Sequence, residues 1–190
     1  MSTNPNIASV WAMATRDVGL FPFLTARVTA RDDRKLAFVP SHVLLGFDLV
    51  EPMVTIDGVE TTRVYADGIR GGGIMGFKSV QKVLGWVEAN AGRKAWRYPL
   101  NRSPGQAAAM WAEVVRSFGR YKYSERQLFE IYAARRFGLP VSTNTNEIVC
   151  SDWASQVCAI GGINMLSLAG RRNHDEMSPM DCVFAWERMM

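Results

Sequence analysis

Two histidines and three cysteines carry much of the reactive chemistry open to this chain of 190 residues. Cys150 stands apart by position. In "NEIVCSDWASQVCAIGG" (Asn146 to Gly162) it follows a short β-like run and opens a helical pattern. At a helix start, unpaired backbone N–H groups and the positive end of the dipole stabilise a thiolate. The same N–H groups can hold the oxyanion of an acyl intermediate. Cys158, two turns further on beside Val157 and Ile160, and Cys182, after "SPMD", read as small core residues. Ser151 and Asp152 fit ordinary N-terminal helix chemistry, so no catalytic role is assigned to them.

A thiol nucleophile needs a base, and the base needs a polar group to orient it. His42, in "PSHVLLGF", reads as mid-strand, sharing a side with Leu44 and Gly46 while Val43, Leu45 and Phe47 face the other way. An imidazole buried in a strand costs desolvation unless something hydrogen-bonds it, and both a structural and a catalytic role satisfy that condition. His174, in the polar stretch "GRRNHDEMSP", reads as a solvated surface residue. For the third member Glu60, Tyr65 and Asp67 all lie on or near the hairpin after the histidine strand. Asp67 is the better acceptor for an imidazole N–H and is preferred. The candidate catalytic set is Cys150, His42 and Asp67.

These residues need elements to position them. Ile7 to Arg16 reads as a short helix, and "RKLAFVPSHVLLGFD" (Arg34 to Asp48) as a strand, apolar on both faces and therefore central. Glu51 to Gly68 reads as a hairpin, with alternation at Val54 and Ile56, a turn at Asp57-Gly58, and alternation again from Thr62 to Ala66. Val80, Val83, Leu84 and Val87 have helical spacing that stops at Gly92, and Arg93 to Leu100 is a further strand. Ser103-Pro104 starts a helix to about Phe118, and Ser124 starts another ending near Gly138. "EIVC" is short and β-like, the helix from about Ser151 stops at Gly161-Gly162, and a loop then leads to a closing strand or short helix. The sum is one α+β domain over residues 1–190.

Composition narrows the function classes. Apolar residues make up 48% of the chain, enough for a sizeable core. The net charge of +4 is scattered, and Arg135–Arg136 and Arg171–Arg172 are too small for a nucleic-acid footprint, so no nucleic-acid partner is expected. Three cysteines without a C-x-x-C spacing imply a reducing compartment and no disulfide framework. No pair of His, Cys or acidic residues has metal-ligand spacing, and no metal or cofactor is expected. "GGGIMGFKS" (Gly71 to Ser79) approaches a phosphate-binding loop, but Phe77 separates Gly76 from Lys78 and breaks the register, leaving a flexible connection. No signal-peptide pattern opens the sequence and no apolar run reaches the roughly 20 residues of a membrane span. Without an integral membrane association the expected location is cytoplasmic, with delivery elsewhere by another route.

The order of the motifs resembles a known family. The strand "PSHVLLGF", hairpin "TRVYADGIRGG", strand "KAWRYPL", a helix, "FGRYKYSERQLFE", "EIVCSDWASQV" and finally "SPMD" resemble the circularly permuted branch of NlpC-type papain-like cysteine hydrolases. That branch includes the YiiX-like and lecithin:retinol acyltransferase-like proteins. The resemblance covers roughly Leu36 to Asp181. It implies a permuted papain-like fold, an antiparallel sheet packed against helices, His42 as base and Cys150 as nucleophile. Tyr65-Ala66 stands where the family usually carries an acid or other polar residue before Ala, so the third member departs from the pattern. The implied activity is hydrolysis of an amide bond through a thioester, on a peptide such as a cell-wall stem peptide. A lipid acyl hydrolase or acyltransferase is the alternative, and a papain-like module without activity belongs to another class.

Overall fold

The computed structural model describes residues 5–16, 40–56, 58–67, 76–79, 94–118, 120–139 and 147–190. Five strands form one antiparallel sheet in the order β6-β5-β2-β1-β7. They are β1 (Ile7–Arg16), β2 (His42–Leu49), β5 (Arg63–Asp67), β6 (Gly76–Ser79) and β7 (Lys94–Leu100). A separate hairpin pairs β3 (Val54–Ile56) with β4 (Val59–Thr61), and β8 (Lys122–Tyr123) pairs in parallel with β9 (Glu147–Ile148). The helices are α1 (Pro104–Ser117), α2 (Glu125–Phe137), α3 (Cys150–Ile160), α4 (Met165–Ala169) and α5 (Pro179–Glu187). The expected α+β class with an antiparallel sheet and packed helices is present.

Ile7 to Arg16 is a strand and not the expected short helix. The reason is its place in the sheet: β1 lies between β2 and β7, and Val10 to Thr15 are buried without a break. A strand covered on both faces loses the polar alternation that would identify it. β2 is central, as its apolar character on both faces implies. Ser103 caps α1 through a reciprocal pair with Gln106, Ser124 caps α2, and Gly138 closes α2 in the left-handed region. Gly58 turns the β3–β4 hairpin at φ +79°. Gly76–Ser79 is strand β6, whereas the expected helix through Val80, Val83, Leu84 and Val87 lies outside the described residues.

The sheet has two unlike faces. Val43, Leu45 and Phe47 of β2 join Val10, Ala12 and Ala14 of β1 in the larger core, with side chains from α1, α3 and α5. Trp11, Met13, Leu44 and Tyr65 form a second, smaller cluster. Gly46 belongs to that second side: a Cβ there would run into the Trp11 ring, so the missing side chain is what lets the indole lie on the strand. Tyr65 meets Trp11 edge-on at 4.3 Å.

Candidate functional site

Cys150 is the first residue of α3, one position earlier than the sequence pattern places the helix start. Val149 precedes it in extended conformation and gives the helix no side-chain cap. The sulfur is buried, with Cys150 only 1% exposed and part of the larger core. All three cysteines are free thiols. Cys158 and Cys182 are core residues as expected: burial pushes the Cys158 thiol up to about 12 and raises Cys182 well above its ordinary value.

His42 opens β2 rather than sitting mid-strand, and it pairs across β1 with Thr15. It is half-buried. Alternation along β2 gives its side the company of Leu44 and Gly46. Cys150 belongs with the residues of the other face, Val43, Leu45 and Phe47. The described strand geometry therefore does not itself bring imidazole and sulfur together. To meet Cys150, His42 must turn at the strand start and leave the face that its pairing with Thr15 assigns it. The Thr15 hydroxyl, opposite His42, is buried without a hydrogen-bond partner. It is a polar group beside the histidine that no sequence motif marked.

The three candidates for an orienting group fall in different places. Tyr65 is fully buried opposite Gly46, and burial raises its hydroxyl to about 12, opposed by the charges of Arg97 and Arg63. Asp67 ends β5 and pairs with Gly76 of β6. Glu60 is exposed on β4 opposite Thr55, in the separate hairpin.

A polar cluster on the other side of α3 was not anticipated. Asp152, Ser155 and Gln156 share one stripe of the helix through their i, i+3, i+4 spacing. Ser155 Oγ lies 2.7 Å from His174 Nδ1. Gln127 Nε2 of α2 donates to Asp152 Oδ2 at 3.2 Å, and Gln156 Nε2 donates to Asp152 Oδ1 at 2.7 Å. Burial raises the Asp152 carboxyl to about 6 against these two donors, and the nearby Asp175 adds to the rise. His174 is half-buried and not the solvated residue expected; burial lowers its pKa, opposed by the charge of Asp175. A serine hydroxyl on an imidazole is the contact of a nucleophile with its base. Here Ser155 is fully buried in mid-helix, so the contact ties the short 3-10 helix His174–Glu176 to α3.

The closing "SPMD" has a definite structural task. Ser178 Oγ and the Asp181 carboxylate bond reciprocally to each other's backbone N–H at the start of α5. Arg171 Nη2 donates to the fully buried Asp181 at 3.0 Å, and charge pairing satisfies a carboxylate that would otherwise be costly there. Comparison of the chain with protein-family models, curated proteins and solved structures gives no match.

Proposed function

We propose that the chain is a cysteine hydrolase of the permuted papain-like type, acting on an amide bond through an acyl-enzyme. The observation that carries this is the place of Cys150: the first turn of an 11-residue helix without a side-chain cap, so that backbone N–H groups are left for the sulfur and an oxyanion. In this mechanism the Cys150 thiolate attacks the carbonyl carbon and the Cys150 N–H helps hold the oxyanion. His42 takes the thiol proton and returns it to the leaving amine, and water then resolves the thioester. Asp67 is the preferred partner for the imidazole. A peptide substrate is the leading choice, with a lipid acyl group second.

A second reading, a papain-like binding or structural module without catalysis, is favoured by two observations. Cys150 is 1% exposed, and strand alternation sets His42 on the opposite face. Thiol labelling separates the two. Cys158 and Cys182 are buried like Cys150, so the rate near pH 7 is read in a Cys158→Ala, Cys182→Ala background where Cys150 is the one thiol left. A hydrolase gives labelling faster than that of a free thiol in the unfolded chain, slowed roughly tenfold by His42→Ala. Labelling slower than the unfolded reference and unchanged by His42→Ala leaves the binding module.

A further inference from the structure

We propose that the cavity where β1, β7 and the start of α1 meet binds a small oxyanion, a carboxylate or a phosphate, carried on an apolar body. The cavity measures about 490 Å³, within the usual span of small-molecule sites. Arg97, Arg102, Asp48, Ser9, Trp11 and Pro99 are among the residues that line it.

The charge balance points to an anion. The Arg97 guanidinium lies 3.9 Å over the Trp11 ring. Stacking occupies the guanidinium's face and leaves its N–H donors free in the plane. Arg102 spends Nη1 on the Gly161 carbonyl at 3.2 Å, while its Nε is buried with no acceptor. Among the described residues no carboxylate pairs with either arginine. Asp48 cannot supply the missing charge, because Ser9 Oγ donates to its Oδ2 at 2.7 Å and Arg63 Nε to its Oδ1 at 2.5 Å.

The backbone leaves room for the ligand. The β1–β2 register shifts between Ile7 and Ser9, and β1 pairs with β7 only from Val10 opposite Leu100. β7 ends at Leu100, which leaves Ile7 to Ser9 without a β7 partner beside the cavity. Pro99 and Leu100 add apolar wall for the ligand's body. Gly161 closes α3 about 16 Å from the Cys150 end, so this site stands apart from the proposed nucleophile.

Isothermal titration of the full chain with benzoate, phenyl phosphate and neutral benzyl alcohol tests the proposal. Both anions should bind saturably and benzyl alcohol should not. Arg97→Gln and Arg102→Gln should each weaken the anions roughly tenfold or more. The tighter of benzoate and phenyl phosphate names the oxyanion. If Arg102→Gln fails to fold because the Gly161 contact is lost, the exposed Arg97→Gln decides. Absence of saturable binding by both anions, binding unaffected by Arg97→Gln, or equal binding of benzyl alcohol would overturn it.

Discussion

Helix α3 carries two chemistries on opposite sides. Cys150, Trp153, Ala154, Val157 and Cys158 enter the apolar core against the sheet and α1. Asp152, Ser155 and Gln156 turn toward α2 and the His174 segment, where each polar side chain has a partner. Burial is nearly as complete on the second side: Asp152 is 1% exposed and Ser155 is fully buried. The difference lies in what meets the buried group. On the core side desolvation of Cys158 drives its thiol strongly toward the neutral form. On the polar side two amide donors hold the Asp152 rise to about 6. Low exposure alone therefore says little about which side of a helix can hold charge.

The contrast can be broken most forcefully from the core side. Trp153→Ala removes a fully buried indole and should cost about 3–5 kcal/mol of stability, read from the midpoint of urea unfolding. On the polar side, His174→Ala leaves the Ser155 hydroxyl buried without a partner. A loss of about 1–3 kcal/mol should follow, measured in the same way.

Titration sharpens the comparison further. The folded Asp152 carboxyl sits at about 6 against an unfolded value of 3.8. Between those values the native state holds a proton that the unfolded chain has lost. Its contribution is complete below the unfolded value and disappears as pH rises through about 6. His174 works the other way, because its lowered pKa makes stability rise with pH up to its ordinary value of 6.5. Asp152→Asn should remove the fall between about pH 4 and 6 and leave the His174 rise, which thermal midpoints across that range will report. The smallest effect belongs to Ser155→Ala. Removing the hydroxyl leaves only the half-exposed imidazole to find water, at a cost of about 0.5–1.5 kcal/mol in urea unfolding.

Elements set by local chemistry were legible in the residues. The Ser103 and Ser124 caps, the Gly138 stop and the turn at Gly58 each use a few neighbouring positions, and each stands where its residues put it. The helix start at Cys150 was legible for the same reason, to within one residue. β1 was not: its neighbours on both edges come from distant segments, and only their contact hides its polar backbone. Asp152 and His174 were missed because their setting is made by three separated segments, α2, α3 and the 3-10 helix. The i, i+3, i+4 spacing of Asp152, Ser155 and Gln156 was the available signal. His42 shows the complementary case: alternation named its face, but the side taken by α3 depends on packing.

The outermost strand on the β1 side also bears on how copies of the chain treat one another. Of the described strands, β7 ends the ladder there, and it carries a proline at Pro99 and a charged, exposed Arg97. An imino acid cannot donate to a newcomer's backbone. Among the described strands, self-templated growth of the sheet across molecules is thereby discouraged at that flank.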